Sequence, residues 1–309
     1  GAKAQGVDAA TAQGIWELIA NFAAYSYCKA HAATYGELSY QCAYLKAHYP
    51  AEFFAAVLSN RGGFYSPPVY LEEAKRRGIV FLPLHVNRSD FAYRAEGDRV
   101  RTGFVELRGL SQESLRSLLA ARDTDGPFLE LSDLRARTGL PQADAEALLR
   151  AGALDGLPPE APLTRPMQWW QLRAEYANRQ KQTMQIDQNR LKDVYIAKSG
   201  AIPDYSARRR RDEAWEALGL VTEGHPLEYY VDKLQDRTLV PSTALMRYAG
   251  QHVTLLGWLI TERRLAVKQG SGVMKFVTLE DTQGTYEAVL FPETYQAYGH
   301  LLTTQGPYL

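Results

Sequence analysis

The sequence predicts a multidomain α+β chain, mainly α-helical at first and followed by a truncated β-barrel. Three observations carry this. A length of 309 residues exceeds one ordinary core and suggests about two or three domains. Apolar residues recur with the period of a helix through about residue 156, and the period switches to two after Gly250. Hydrophobic residues at 46% and charged residues at 23% give the balance of a globular chain and set aside a disordered one. No apolar run approaches the roughly 18 residues of a membrane span, and no secretory signal opens the chain. Cys28 and Cys42 alone cannot build a disulfide framework and suit a reducing compartment, so the expected location is cytoplasmic, with no membrane partner. Gly1 opens the chain without methionine and Leu309 falls inside what reads as a new strand. Both ends are therefore expected to be cuts.

Taken in order, Ile15, Leu18, Ile19 and Phe22 lie at i, i+3, i+4 and i+7, one face of a first helix. Tyr35, Leu38, Cys42 and Leu45 keep a similar stripe from Ala30 to Tyr49, where Pro50 ends one helix and suits the first turn of the next. Phe53, Phe54, Val57 and Leu58 mark that next helix, which stops at Gly62-Gly63. A helix over Val69 to Arg77 precedes the strand-like run Ile79 to Leu82 and a mixed connector. Residues 100 to 156 read as two helix-turn-helix units, with turns at Arg108-Gly109-Leu110-Ser111 and Thr138-Gly139-Leu140-Pro141. Clustered prolines and basic residues make 157 to 250 a linker, with a helix near Arg209 to Leu218. Val253 to Ile260, Met274 to Glu280 and Thr285 to Phe291 then alternate as three strands of an antiparallel meander. Glu293 to Leu302 reads as a helix, and Gly306 to Leu309 as the start of a fourth strand.

Equal numbers of Lys+Arg and Asp+Glu, 35 each, give no global electrostatic case for nucleic acid, so any such case is local. Arg165 to Arg211 holds eleven Lys or Arg against four Asp or Glu and ends in four consecutive arginines. Such a run is either a solvated surface or a strip facing phosphates. Glycine in the turn of a helical hairpin lets the first N–H groups of the second helix point outward, where they and the helix dipole attract phosphate oxygen. Arg108, Gly109, Leu110, Ser111 and Arg116 in the first unit, and Gly139 in the second, are the candidate DNA contacts on this ground; an ordinary helical hairpin is the alternative. Ser111 stands where such hairpins commonly carry a second glycine, and it can cap the next helix.

The closing strands resemble the first part of an OB-fold, a small barrel that holds single-stranded nucleic acid by stacking and basic contacts. Arg263, Arg264, Lys268 and Lys275 are its candidate contacts, read as loop cations, while Trp258 and Phe276 are expected to fill the barrel core. Cys28, His31, Cys42 and His48 form a zinc set by type, but they fall on long helices without a tight knuckle, so no metal is expected. No nucleophile triad, phosphate-binding glycine loop or close carboxylate pair stands out, so no catalytic residue is expected.

One stretch is more specific. Tyr27-Cys28-Lys29-Ala30-His31-Ala32-Ala33-Thr34-Tyr35, with Ser39-Tyr40-Gln41-Cys42-Ala43-Tyr44-Leu45-Lys46-Ala47-His48-Tyr49-Pro50-Ala51-Glu52-Phe53, resembles the fingers of bacterial DNA polymerase III alpha subunits, whose pattern there is F-N-K-S-H-A-x-x-Y and S-Y-Q-T-A-W-L-K-A-H-Y-P-A-E-F. Cys28 and Ala30 replace its Asn and Ser. The likeness continues through Pro83 to Ser89, Ala151 to Asp155, Leu218 to Leu220 with Gly224 to Leu227, and Phe276 to Asp281 with Val289 to Phe291. It implies residues 1–85 as the end of the fingers domain, 86–156 as a helix-hairpin-helix DNA-binding region, 157–250 as a basic linker and helical connector, and 251–309 as a truncated OB-fold. It also implies a DNA-directed DNA polymerase, a nucleotidyltransferase of DNA replication. Its two Mg²⁺ ions would be held by palm aspartates outside this stretch, so this stretch would bind no cofactor and would not polymerise alone. Lys29 and His31 then become nucleotide-binding candidates, with helix packing as the alternative. Implied partners are primer-template duplex, single-stranded template, deoxynucleoside triphosphates, and a sliding clamp with other replisome subunits. The family's clamp peptide, Q-x-x-[LM]-F, is approached only by Gln188 to Lys192 and Gln112 to Arg116, both without the aromatic. A non-enzymatic DNA-binding protein of the same modules and an error-prone polymerase are the alternatives.

Overall fold

The structure, a computed structural model, describes residues 5–23, 28–180, 202–234, 237–267 and 272–309. It divides into two compact units, Gly1–Tyr49 and Pro50–Leu309.

The first unit holds α1 (Ala9–Ala23) and α2 (Lys29–His48). Asp8 starts α1 by accepting the N–H groups of Ala10 and Thr11 and the Thr11 hydroxyl, and these bonds hold its carboxyl below the usual range. Cys28 Sγ accepts the His31 N–H at the start of α2. The apolar stripes foreseen in both helices exist, yet Ile15, Leu18, Ile19, Tyr35, Leu38 and Leu45 are all exposed.

The second unit begins at α3 (Pro50–Asn60) and α4 (Pro67–Arg76). The expected boundary at residue 85 is corrected here. Ala51, Phe54, Ala55 and Leu58 sit at i, i+3, i+4 and i+7 on α3 and are buried with Leu71 and Ala74 of α4 in one core that reaches Leu220. Residues 50–85 therefore belong to the same folded unit as the hairpin region. That core is built on a small sheet in the order β1 (Val80–Leu82), β3 (Arg99–Arg101), β2 (Arg94–Glu96), with β1 parallel and β2 antiparallel to β3. Only β1 was foreseen, because three-residue strands carry no measurable alternation. Gly103 lets two backbones cross: a Cβ there would lie 2.4 Å from the Ala92 carbonyl carbon, and the next residues, Phe104 and Val105, donate to the Asp90 and Phe91 carbonyls.

Helices α5 (Gln112–Asp125), α6 (Leu131–Thr138) and α7 (Gln142–Arg150) join the same core through Leu118, Leu134, Leu148 and Leu149, with Leu140 from the α6–α7 turn. The pair α6–α7 is the foreseen second hairpin. The foreseen hairpin around Gly109 is not a pair of α-helices, because β3 and a single 3-10 turn, Phe104–Glu106, occupy the place of its first helix.

The stretch expected as a linker contains α8 (Arg165–Gln180) and α9 (Ala207–Leu218), and both join the core. The inner face of α8 presents Arg165, Gln168, Leu172 and Tyr176. Gln168 Nε2 donates to the Leu154 carbonyl and Tyr176 Oη to that of Leu140. Trp169 also packs against the core beside Leu172 and Tyr176, but the basic and polar residues around them give the stretch the look of a linker. Ser206 caps α9 by accepting the Arg209 N–H, and Gly219 ends it at φ +74°. A four-residue helix, α10 (Glu228–Val231), comes next.

The last element group is an antiparallel sheet of β4 (Trp258–Ala266), β5 (Val273–Glu280) and β6 (Thr285–Leu290), with a bulge between Leu259 and Thr261, and then α11 (Pro292–Tyr298). Beyond α11, Gly257 and Tyr308 exchange both backbone hydrogen bonds, so the closing residues lie beside the strand that opens the sheet. No closed barrel is present among the described residues; the fold class established is mixed helix and sheet. Strand β4 starts later than Val253; ahead of it the Thr254 carbonyl accepts the Val240 N–H.

Two outcomes are expected. Gly103→Ala loses about 2–3 kcal/mol of stability through the backbone clash, read as a lowered urea midpoint; Gly97→Ala, where no atom lies within 4 Å of the new Cβ, pays only for its positive φ. The turn after β5 gives a pH effect. Burial works to raise the Asp281 carboxyl, but bonds from Ser242, Gln283 and Gly284 hold it below its ordinary value. A lowered folded value contributes stability that is present above about pH 4 and is lost as pH falls through it. Circular dichroism on acidification is expected to show a flatter profile below about pH 4 for Asp281→Asn than for the parent.

Candidate nucleic-acid interface

The turn between α6 and α7 is a glycine-ended helical hairpin. Gly139 takes φ +65° and donates to the Arg135 carbonyl, ending α6, and Leu140 is driven into the core. Pro141 then opens α7 without a side-chain cap, and Pro141, Gln142 and Ala143 are exposed. The first N–H groups of α7 thus face solvent with the positive end of the helix dipole. Its nearby cations are engaged elsewhere: Arg137 donates to the Ala121 and Gly126 carbonyls and stacks on Phe128, and Arg135 pairs with Glu175.

The first turn is built differently. Gly109 is exposed at φ +83°, and Leu110 is half-buried. Ser111 caps α5 by accepting the Ser114 N–H, and its hydroxyl donates to Asp144 Oδ2 at 2.7 Å. The buried Asp144 carboxylate, supplied by the first turn of α7, stands where an external phosphate oxygen was expected. This corrects the backbone-grip expectation at Ser111, since an internal anion already satisfies its donors. Arg108 and Arg116 remain as cations: both are exposed, and neither guanidinium has an ion pair among the described residues.

Of the cations assigned to the sheet, Arg263 and Arg264 lie within β4, paired with Phe276 and Lys275, rather than in a loop. Strand β4 runs six residues beyond Ile260, which carries both arginines into the ladder. They are exposed, with guanidinium carbons 5.3 Å from the Phe276 ring centre and 5.8 Å from that of Tyr295. Lys268 lies outside the described residues, as does the Gln188 to Lys192 segment. Lys275 is corrected: it is 1% exposed, its Nζ 2.5 Å from Glu262 Oε2 and 5.7 Å from the Tyr295 ring centre. The pleat turns residues 275, 277 and 279 to the covered face, so Lys275 cannot meet a strand outside. Trp258 and Phe276 are half-buried. In the first unit Lys29 and His31 are exposed in the opening turn of α2, with the His31 ring 4.5 Å from that of Tyr35. Cys28 and Cys42 are free thiols.

Sequence inspection missed the buried polar cluster that fastens the second sheet to α4. Arg76 Nη1 lies 2.9 Å from Glu280 Oε2, and Lys75 Nζ bonds Glu72, the Val221 carbonyl and the Gly224 carbonyl. Burial raises the Glu72 carboxyl and lowers the Lys75 ammonium. His225 Nε2 lies 3.7 Å from Glu280 and 4.0 Å from Glu72. These groups do not fit a divalent ion. His225 Nδ1 accepts the Leu227 N–H, so the ring proton sits on Nε2 and blocks ligation, and two cations already offset the carboxylates. Among the described residues no group of three or more potential ligands is arranged for a metal, and no helix is long and apolar enough to cross a membrane.

One turn with an exposed glycine and an uncapped helix start, and two exposed arginines that have no ion pair among the described residues, are features able to meet phosphate oxygen. A helix-hairpin-helix motif model matches residues 78–161, the stretch from β1 to just beyond α7. The relatives are more specific. An error-prone DNA polymerase of Symbiobacterium thermophilum is 32% identical over 98% of this chain, which matches 31% of that polymerase. DNA polymerase III alpha subunits of Halalkalibacterium halodurans and Thermus aquaticus are 34% and 30% identical over 96% and 100% of the chain, and 26% of each is matched. Along nearly its whole length, then, the chain is homologous to one segment of the bacterial DNA polymerase III alpha subunits and error-prone DNA polymerases. It spans about a quarter to a third of the length of these relatives.

The burial of Lys275 yields a clean contrast. Lys275→Ala is expected to lower stability by about 2 kcal/mol, because Glu262 loses its buried partner, while leaving single-stranded DNA affinity within twofold in a fluorescence anisotropy titration. Arg263→Ala should do the reverse.

Proposed function

We propose that this chain is a DNA-holding part of a bacterial replicative-type DNA polymerase, a DNA-directed nucleotidyltransferase of DNA replication. The observation that carries this is the near full-length homology with one segment of such polymerases. Within it the helix-hairpin-helix match over residues 78–161 includes the α6–α7 turn. The hairpin region would hold the primer-template duplex through phosphates, using the start of α7 with Arg108 and Arg116, without reading bases. The second sheet, with its helix and the Tyr308 bridge, would be the beginning of an OB-fold that guides single-stranded template past Arg263 and Arg264. Residues 1–49 would close the fingers domain, with Lys29 and His31 turned to an incoming deoxynucleoside triphosphate.

Catalysis itself would belong to palm aspartates and two Mg²⁺ ions outside the matching segment. No step of the reaction is assigned to residues of this chain. Contact with a sliding clamp and other replisome subunits is part of the same proposal, as is a cytoplasmic setting. Relatives named as error-prone polymerases and as replicative alpha subunits match at similar identity, 32% and 34%, so the polymerase activity shared by both names is the reading favoured.

Salt titration tests the hairpin assignment. With about three phosphate contacts, duplex affinity should fall roughly 40-fold between about 50 and 200 mM salt. It should be equal for unrelated duplex sequences, and Arg116→Ala should reduce the logarithmic salt slope by about one. A slope near zero, or strong preference for one duplex, would remove the assignment.

A further inference from the structure

Trp215, on α9, separates two cavities. On one side, a cavity of about 200 Å³ is rimmed by Arg165, Arg210 and Arg211. These arginines are engaged with Asp155, Asp204 and Glu228 respectively. On the other side, a cavity of about 310 Å³ is lined by Arg108, Trp215, Glu216, Gly219 and Gln305. This second cavity joins three parts of the second unit: the turn before α5, the end of α9, and the segment that runs beside β4.

Its construction is specific. The Arg108 N–H donates to the Ala217 carbonyl, which holds the turn against α9. The guanidinium then lies over Gly219, where a Cβ would stand 2.1 Å from Nη2. Gly219 is favoured by its positive φ, and without a Cβ it leaves room for the Arg108 guanidinium beside it. Trp215 is half-buried and held by aromatic neighbours, with ring centres 5.8 Å from both Tyr229 and Trp258. An unpaired guanidinium beside a fixed indole is the pairing that meets a phosphate and a base at once. Gln305 adds an amide able to donate and accept at a base edge. Glu216 repels phosphate, which places the anion at the Arg108 end of the cavity.

We propose that Arg108 and Trp215 form a site for one unpaired nucleotide of a DNA strand, with the indole stacked on the base and the guanidinium on its phosphate. The site rests on the nucleic-acid reading above and adds to it the point where a strand leaves duplex geometry between the hairpins and the second sheet. A base in a duplex is stacked on both sides and has no free face for Trp215, so the site selects single strand.

The test uses the whole 309-residue chain with fluorescein-labelled oligo(dT), an oligomer of the same length with abasic deoxyribose phosphates, and a mixed-sequence duplex. Trp215→Leu is expected to weaken oligo(dT) binding about tenfold, the scale of one lost base stack. It should change binding of the abasic oligomer and the duplex less than twofold. Trp215→Phe, which keeps an aromatic face and the packing against Tyr229, should recover most of the loss. Arg108→Ala, at an exposed side chain, should weaken oligo(dT) and abasic oligomer alike. Circular dichroism checks that each variant is folded. Equal loss on oligo(dT) and abasic oligomer for Trp215→Leu, or no loss on either, would overturn the stacking site while duplex binding still upheld the hairpin interface. Displacement of oligo(dT) by free thymidine monophosphate at matching concentration would overturn the strand assignment in favour of a free nucleotide. A parent chain that bound neither duplex nor single strand would instead remove the broader reading.

Discussion

The bond between the Ser111 hydroxyl and the Asp144 carboxylate sets the relation between the two turns that the candidate interface depends on. It joins the first residue ahead of α5 to the first turn of α7, 33 positions away, and the carboxylate is buried. An anion held inside costs desolvation, and the cap, the Ser111 N–H and the positive start of α5 offset that cost. The division of labour results from it. At the α5 turn the Ser111 donors are engaged by Asp144 and exposed arginines stand nearby, whereas at the α7 turn the nearby arginines are engaged and the helix start has no side-chain cap.

Charge counts mislead for a related reason. The basic stretch that ends in four arginines is open, as sequence, to two readings, a solvated surface or a strip facing phosphates. In the structure Arg209 pairs with Glu213, Arg210 with Asp204, Arg211 with Glu228, and Arg165 with Asp155. Two of those acids fall inside the counted stretch or beside it, and two come from other segments altogether. The surface pairs among these contribute little to stability, yet they offset the charge of the arginines that make them. Arg108, isolated in sequence and credited only as a neighbour of a glycine turn, keeps its charge available.

Legibility tracked the size of the apolar signal. Helices α2, α3 and α9, the α6–α7 hairpin and all three strands of the second sheet were readable because their periods persist over many residues or their turns carry glycine. The first sheet escaped because three residues show no alternation, and α8 because basic and polar residues surround Trp169, Leu172 and Tyr176. The unit boundary at Tyr49 was invisible for a different reason: Pro50 marks a helix break, but only the packing of Phe54 and Leu58 tells which side owns the next helix. Lys275 was misassigned because residue type suggested a surface cation, while the pleat, which counts in twos, placed it on the covered face beside Val277 and Leu279. The cavity around Trp215 had no sequence signal at all, since its walls come from positions 108, 215 to 219 and 305.

The clasp between Arg76 and Glu280 spans 204 positions of chain, and Lys75 reaches carbonyls 146 and 149 positions ahead. During synthesis, α4 therefore exists long before its partners. Until those partners arrive, Glu72, Lys75 and Arg76 can be solvated by water, so this flank of the segment is polar rather than sticky. The distant pairing is slow by contact separation, and the polar character of the clasp is what makes the delay harmless: a hydrophobic seam in the same place would leave an aggregation-prone surface exposed until the last quarter of the chain arrived.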